Sequence, residues 1–393
     1  MSLPDDQLAD HLGEVRAVVH QAALGVTERF DRAYWVDCAR SGRFTDEMWQ
    51  AMVDQGLLGL GVPEEYGGAG PGVTAAVAAM EAISRAGTPI ALYILTVFAR
   101  ETIIRHGTPQ QIRALVTPTV TGESRMCFAV TEPDAGTNTF NISTFAARTP
   151  HGDYMMNGQK IFISAIDVSD TVMVVTRTAR ANEVADKRQG LSLFVVDVNS
   201  PGIELQPIDI GIVMPDRQYS VFFTDVRVPA DRLIGEEGEG FRYVFDALNS
   251  ERLLAAAWAL GIGDFALAKA VEYARERAPF GTPIGAYQGV QHPLAMAKAK
   301  LDAARLVMYT ASRAFDSGVN AGYLANTAKL LASTAAVEAC DAAIQTHGGY
   351  AFDNGYDVHT LWGIARLLKI APVNNEVILN YIGEHVLRLP RSS

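Results

Sequence analysis

The sequence predicts a mostly α-helical protein with a central antiparallel β-domain, and the spacing of its hydrophobic residues is the main reason. These residues recur every three or four positions in the first and last parts of the 393 residues, and every second position between them. Turn residues separate the central runs, as is typical of hairpins. No repeat or long linker divides the chain. We therefore expect three domains packed as one body: residues 1–122, 123–233 and 234–393.

The N-terminal domain reads as helical from Gln7 to about Gly122, with polar breaks at Ser41–Gly42 and Pro63–Gly72. The first twelve residues, MSLPDDQLADHL, are acidic and contain no apolar run, so we expect no signal peptide.

The central domain combines β-branched and aromatic runs with Gly, Pro, Asn and Asp turns, which favours strands joined by tight connections. The predicted strands cover Gln159–Ser164, Thr171–Thr176, Leu191–Val196 and Tyr219–Phe223.

The C-terminal domain is rich in Ala and Leu from Gly240 onward, which predicts a bundle of long helices. Breaks are expected near Ala278–Gln288, Ser317–Gly322 and Gly348–Asp357. The most apolar stretches, Ala91–Ala99 and Leu253–Gly263, are shorter than the ~20 residues of a spanning helix, so we expect no membrane insertion.

Charge and cysteine content exclude several classes of function. The 33 basic and 44 acidic residues give a net charge of −11, which argues against binding to nucleic acid. Cys38, Cys127 and Cys340 are scattered without a CxxC motif, so we expect reduced cysteines and a cytoplasmic protein. The histidines lack a ligand pattern, and we expect no metal. The glycines at 59–61 and 235–240 are expected in turns, because neither segment has the spacing of a dinucleotide loop.

Five segments carry a family resemblance. Ala129–Asn138, which reads AVTEPDAGTN, resembles the T-E-P-x-A-G-[ST]-D signature of the acyl-CoA dehydrogenase family. Four others agree with that family in order and spacing: Gly59–Gly68, Asn157–Ser164, Arg277–Ile284 with Gln288 and Gln291, and Gln345–Gly349. The resemblance covers about residues 55–390 and implies N-terminal helices, a central β-domain, a C-terminal four-helix bundle and bound FAD.

The resemblance also implies which residues hold FAD. The β-domain would cover one flavin face with Phe128, Val130, Thr131, Gly136, Thr137, Phe162 and Ser164. The guanidinium of Arg277 suits the FAD pyrophosphate and, in the family, comes from the neighbouring subunit. Further cofactor contacts are expected from Phe280, Gln288, Gln345, Gly348, Gly349, Asn374 and Glu376.

The family reaction removes an α-proton from an acyl thioester with a Glu while flavin N5 accepts the β-hydride. Pro372 stands at the position where many members carry that Glu. A minority, including the isovaleryl and long-chain enzymes, carry it on an early helix of the bundle just before an Arg, where this chain has Glu251 and Arg252. Glu251 is therefore the predicted base. The alternatives are that Glu251 is a solvated helix residue, or that Glu376 serves through a remodelled loop.

Pro372 has a second consequence. In the family, the backbone N–H at the Glu position helps to polarise the thioester carbonyl, and proline has no N–H. Loss of one such donor typically costs ~2.7–4 kcal/mol in the barrier. Three alternatives would account for the missing donor: a register shift of one residue, a substitute donor or a different chemistry. We favour the register shift.

Other departures from the family pattern predict a divergent substrate pocket: Phe162 replaces a Trp, Asn138 an Asp, Ala351 a Gly and Trp362–Gly363 an Arg-Asp pair. Thr137, Asn249 and Arg252 match substrate positions, the last two at the pantetheine and phosphate end of CoA.

The resemblance implies an FAD-dependent acyl-CoA dehydrogenase of fatty acid metabolism that forms trans-2-enoyl-CoA. It would be a homotetramer, a dimer of dimers, that passes electrons to an electron-transferring flavoprotein. The alternatives are a flavin oxidase or monooxygenase on the same fold, or a non-catalytic FAD- or CoA-binding subunit of a hetero-oligomer.

Overall fold

The computed structural model describes residues 10–70 and 72–391. The predicted helix start at Gln7 and most of the segment tested for a signal peptide lie outside the described residues.

The N-terminal domain is helical, as predicted. Gly42, at φ +68°, ends the second helix at the predicted break, because glycine adopts this left-handed conformation without steric cost. Its helices are α1 (Asp10–Thr27), α2 (Arg32–Ser41), α3 (Asp46–Asp54), α4 (Thr74–Arg85), α5 (Ala91–His106), α6 (Pro109–Gln111) and α7 (Thr117–Val120).

The central domain is one eight-stranded sheet in the order β6-β7-β3-β2-β4-β5-β8, with β1 paired to β4. The four predicted strands are all present within β3, β4, β5 and β7. The strands are β1 (Met126–Ala129), β2 (Phe145–Arg148), β3 (Tyr154–Ser164), β4 (Thr171–Arg177), β5 (Leu191–Asp197), β6 (Ile203–Ile208), β7 (Gln218–Val228) and β8 (Leu233–Ile234).

The sheet differs from the prediction in that it is mixed rather than purely antiparallel. β1 and β4 run parallel, with Met126 opposite Thr171 and Ala129 opposite Val174. The antiparallel hairpin of β2 and β3 lies between β1 and β4 in sequence. Its second strand returns the chain to the end of the sheet where β1 began, so β4 runs in the same direction as β1. The pattern missed β1, β2 and β8 because they have four residues or fewer, and β6 because none of its residues is fully buried.

The C-terminal domain consists of long helices broken at the predicted places. Its helices are α8 (Gly240–Glu276), α9 (Gln288–Asp316), α10 (Gly322–His347), α11 (His359–Leu367) and α12 (Asn375–Tyr381). The helix α8 is central, since α9 and α10 of its own domain and α4 and α5 of the N-terminal domain all pack against it. A Cβ at Gly261 would lie 2.4 Å from the Cβ of Ser84, so glycine permits the close approach of α8 and α4.

The expectation of no membrane insertion rests on short apolar stretches, but one of these, Leu253–Gly263, lies within the longer helix α8. By length and composition this helix is apolar enough to cross a membrane, with a mean hydropathy of 1.5 over its most apolar window. The structure buries 78% of that window against the neighbouring helices, so the apolar surface forms the core of the bundle.

A buried ionic network joins the N-terminal domain to the bundle. Arg305 on α9 contacts the carboxylates of Glu81 on α4 and Asp264 on α8, and Tyr309 donates a hydrogen bond to Glu81. Burial opposes ionisation of Glu81, but the charges of Arg305 and Arg16 outweigh it and lower the pKa of Glu81 to about 2. Each carboxylate in this network therefore depends on the shared guanidinium.

The substitution Arg305→Met is expected to lower the free energy of unfolding by up to about 3–5 kcal/mol, because it removes the nearest cation from two buried carboxylates and leaves only Arg16, 3.6 Å from Glu81, and Arg85, 3.7 Å from Asp264. Urea unfolding at neutral pH measures the change. The control Arg43→Met removes an exposed partner of Asp37 and should leave the midpoint nearly unchanged. Equal effects of the two substitutions would contradict a structural role for the network.

Candidate active site

Glu251 lies on α8 and has the environment of a proton acceptor. It is 7% exposed, and within the described residues its carboxylate receives no hydrogen bond. Burial raises the pKa of Glu251 to about 7, although the charge of Arg252 partly opposes this effect. A buried carboxylate is normally paired or hydrogen-bonded, so an unpaired one indicates a group that is kept available for reaction.

Glu376, the competing candidate, has a different environment. It is exposed in the first turn of α12. Its charge acts on the buried Lys329, and this attraction opposes the lowering of the Lys329 pKa. An exposed carboxylate at the surface of a short helix lacks the desolvation that makes Glu251 suited to accept a proton.

Hydrogen bonds and charge interactions relate the surroundings of Glu251 to the segment that resembles the flavin signature. Arg252 donates a 3.0 Å hydrogen bond to Asn249 Oδ1, and its charge acts on both Tyr381 and Lys329. Asn374 Nδ2 donates to Thr137 Oγ1 at 3.1 Å, across the junction between the bundle and the β-domain. The structure thus brings the predicted base, the predicted CoA contacts and Thr137 toward one junction.

Lys329 holds the loop between α11 and α12, which lies at this junction. The sequence patterns did not predict this role. The Lys329 ammonium is 1% exposed and donates to Val373 O at 2.5 Å and to Asn375 Oδ1 at 2.9 Å. Burial lowers the pKa of Lys329 to about 7. The sequence signal was a lone Lys in an apolar helical run, which periodicity alone cannot distinguish from a solvated residue.

Pro372 lies in the loop that Lys329 holds. The N–H of the next residue, Val373, makes no hydrogen bond within the described residues. The loop therefore keeps a free backbone donor beside the position where proline removed one.

The β-domain presents a partly exposed surface on the predicted flavin side. Phe162 is 57% exposed at φ +56°, a conformation that costs an aromatic residue ~1–3 kcal/mol and that is concentrated at functional sites. Phe128 packs edge-on against Phe98, with centroids 4.5 Å apart. Gly136 and Thr137 are exposed, and Val130 and Thr131 are half-buried. The hydroxyl of Ser164 is already hydrogen-bonded to Gln218 and is the least available of the predicted set.

A cleft of about 570 Å³ lies at the C-terminal end of α8. Its lining includes Arg277, Gln345, His347, Gly348 and Gly349, so the structure brings four of the predicted cofactor residues together. Within the described residues, no carboxylate pairs with Arg277.

The donors of this cleft suit a pyrophosphate. Arg277 offers a guanidinium fork, and Cβ positions at Gly348 and Gly349 would meet open space, so the backbone is accessible to a ligand. Phe280 is 87% exposed in the loop after Arg277, and Gln288 is exposed at the start of α9. The residues present fit the phosphate half of FAD.

The two parts of the predicted site are far apart within one chain. Glu251 and Arg277 are separated by 26 residues, which correspond to about 39 Å along a helix. This length exceeds that of an extended dinucleotide cofactor. One FAD therefore cannot contact both residues of the same chain.

Comparison with known proteins gives one consistent result. The chain matches the acyl-CoA dehydrogenase N-terminal domain over residues 14–123, the middle domain over 127–226 and the C-terminal domain over 238–387. The acyl-CoA dehydrogenase FadE12 of Mycobacterium tuberculosis is 38% identical over 96% of this chain and 97% of its own length.

Two other relatives extend the comparison. The caffeyl-CoA reductase-Etf complex subunit CarC of Acetobacterium woodii is 31% identical over 86% of this chain and 88% of its own. The structure of butyryl-CoA dehydrogenase from Megasphaera elsdenii superposes with a TM-score of 0.88 at 29% identity, covering 99% of this chain and all of the other.

The burial of Glu251 predicts a pH-dependent cost in stability. The unfolded chain releases this proton near pH 4.5, whereas the folded protein retains it until about pH 7, so the wild type loses stability as the pH rises through that interval. At about 1.4 kcal/mol per pH unit, Glu251→Gln should be more stable than the wild type by roughly 3 kcal/mol at pH 8.

Urea unfolding at pH 5 and pH 8 tests this difference. The gain in stability should be far smaller at pH 5. Glu376→Gln is the matched control at an exposed carboxylate, and it should change the free energy of unfolding little. A gain at pH 8 no larger than at pH 5 would contradict the burial of an ionisable Glu251.

Proposed function

The chain belongs to the acyl-CoA dehydrogenase family, and we propose that Glu251 is the base with which it removes the α-proton of an acyl-CoA thioester. The protein is an FAD-dependent acyl-CoA dehydrogenase, whose reaction yields a trans-2-enoyl-CoA. The observation that carries the assignment of the base is that Glu251 is buried while its carboxylate has no partner among the residues described by the structure.

The environment of Glu251 suits proton abstraction. General bases work best when their pKa lies near the operating pH, because they are then available unprotonated and still basic enough to accept a proton. Burial gives Glu251 a pKa of about 7. In the substrate complex its carboxylate takes the α-proton, and Arg252 on the same helix moderates the cost of the negative charge.

The thioester carbonyl needs a donor where negative charge develops. Pro372 cannot supply one, but the neighbouring Val373 N–H has no acceptor in the part of the chain that the structure describes, and Lys329 fixes its loop through Val373 O and Asn375. We assign Val373 N–H as the substitute donor. A donor at Val373, one residue after Pro372, agrees with the one-residue register shift favoured from the sequence.

FAD supplies the acceptor for the hydride that leaves Cβ. Residues of this chain would orient the flavin: Phe162 and Phe128 would offer aromatic surface, and Gly136 and Thr137 would offer an exposed edge. Arg277 and the Gln345–Gly349 segment would hold a pyrophosphate.

The separation of about 39 Å between Glu251 and Arg277 supports an oligomer. Arg277 of one subunit would complete the cofactor site of its partner, as the resemblance implies. We propose a homotetramer built as a dimer of dimers, in which FAD contributes to the dimer interface.

Asn249, Arg252 and Thr137 are proposed to contact the acyl-CoA. An electron-transferring flavoprotein is the proposed electron acceptor, in keeping with the Etf complex to which the relative from Acetobacterium woodii belongs. The three cysteines are free and buried, which fits the reducing cytoplasm that we propose as the compartment.

Replacing Glu251 by Gln should slow flavin reduction by acyl-CoA by about 10²- to 10⁴-fold, because Gln cannot accept the proton. The measurement is anaerobic stopped-flow mixing with a panel of saturated acyl-CoAs, followed by the visible flavin absorbance. The isosteric control Glu376→Gln should retain most of the wild-type rate.

The outcomes separate the rival functions. Loss of reduction in Glu376→Gln but not in Glu251→Gln would reverse the assignment of the base. Substrate-dependent oxygen consumption as fast as flavin reduction would favour an oxidase or monooxygenase, and absence of reduction in the wild type with every thioester would favour a non-catalytic subunit.

The substitution Arg277→Met should weaken FAD binding by about 10- to 100-fold, as loss of hydrogen bonds from a charged group typically costs ~1.5–3 kcal/mol. Flavin release on dilution of the holoprotein measures this. Arg275→Met, two residues earlier and also exposed, is the matched control and should retain FAD. Equal retention by both variants would contradict the role of Arg277.

A further inference from the structure

A buried ion pair lies beneath the predicted flavin surface and has no role in the function proposed above. Lys160 on β3 is fully buried, Glu132 after β1 is 4% exposed, and Lys160 Nζ lies 2.9 Å from Glu132 Oε1. Burial lowers the pKa of Lys160 to about 8, although the charge of Glu132 opposes this. Such a pair is weak evidence for stability, since desolvation offsets much of its attraction.

The Glu132 carboxylate closes the loop of residues 133–142. Its Oε2 accepts hydrogen bonds from Ser143 N at 2.7 Å and Ser143 Oγ at 2.8 Å, and Oε1 accepts one from Thr144 N at 3.0 Å. Glu132 immediately precedes the loop and Ser143 immediately follows it. One buried carboxylate thus fixes both ends of the loop that carries Gly136 and Thr137.

Lys160 joins the base of this loop to strand β3. Its ammonium also donates to Val130 O at 2.8 Å, and the next residue, Ile161, donates its N–H to Thr131 O at 2.9 Å. Phe162 follows directly. The position of Phe162 relative to the loop is therefore set by the same cluster.

Another side chain, that of Arg177, holds the C-terminal part of the loop. Arg177 donates to Ile142 O and to Phe140 O, each at 2.8 Å. Residues 136–138, between these attachments, are exposed, and Thr137 meets Asn374 from the bundle. The loop is fixed at its base and open at its tip, which is the arrangement of a preorganised ligand-binding surface.

We propose that Lys160 and Glu132 are positioning residues that hold the 133–142 loop and Phe162 in one fixed relation for FAD binding. The proposal rests on the proposed function, because FAD is the ligand of this surface. Neither side chain contacts the cofactor, since both are buried beneath the surface. They act through Thr137, Gly136 and Phe162.

The test uses Lys160→Met, Glu132→Gln and the double variant, with flavin release on dilution of the holoprotein as the readout. Each single variant should bind FAD about 10- to 100-fold more weakly, the effect expected from losing charge-assisted hydrogen bonds. Amide exchange should become faster in residues 133–144. In the double variant, thermal stability should recover because neither charge is left unpaired, while FAD binding should stay weak.

Arg32→Met is the matched control, because it breaks another buried ion pair, 2.7 Å from Asp357, between the N-terminal helices and the bundle. It should reduce thermal stability without affecting FAD binding. The milder Ser143→Ala variant removes one hydrogen bond to Glu132 and serves if the charge variants do not fold. Its FAD affinity should fall by a smaller factor.

The proposal would be overturned if Lys160→Met retained FAD as well as Arg32→Met does. The same holds for Ser143→Ala where that variant is used. Unchanged amide exchange in the loop would also overturn it. Failure of the wild type to bind FAD would contradict the proposed function instead, and loop exchange in the flavin-free protein would still decide whether Lys160 and Glu132 position the loop.

Discussion

The burial of Glu251, whose carboxylate accepts no hydrogen bond from any residue that the structure describes, is the constraint on which the active site depends. Such a group costs stability, and the fold tolerates it because α8 is packed on several sides by helices of two domains. Desolvation raises its pKa to about 7, and the same desolvation makes it a base suited to neutral pH. Stability and reactivity are therefore opposed at this one residue.

The rest of the site is built across domain boundaries by buried cations. Lys329 holds the Val373–Asn375 loop of the bundle, and Asn374 of that loop contacts Thr137 of the β-domain. Arg305 connects α4 to the bundle through Glu81 and Asp264. Because the Asn374–Thr137 and Arg305–Glu81 contacts each join two domains, the geometry around Glu251 depends on all three domains folding together.

Much of the fold could be predicted from local sequence patterns. The choice between candidate residues, by contrast, required knowing which side chains are buried. Period-two runs identified the longer strands but not β1, whose parallel pairing with β4 depends on contacts distant in sequence. Motif spacing identified Glu251 and the Arg277 cleft. It could not reveal that Glu376 is exposed, that Ser164 is engaged by Gln218, or that Lys160 and Lys329 are buried. These facts depend on tertiary packing.

The most direct test of the account is an infrared pH titration of the Glu251 carboxyl group, taken as the difference between the wild type and Glu251→Gln. A protonated carboxyl has a C=O stretch that disappears on ionisation, so its midpoint measures the pKa in the folded protein. The account predicts a midpoint of about 7. A midpoint near the ordinary glutamate value of about 4.3 would contradict it, because a solvated carboxylate would then occupy this position.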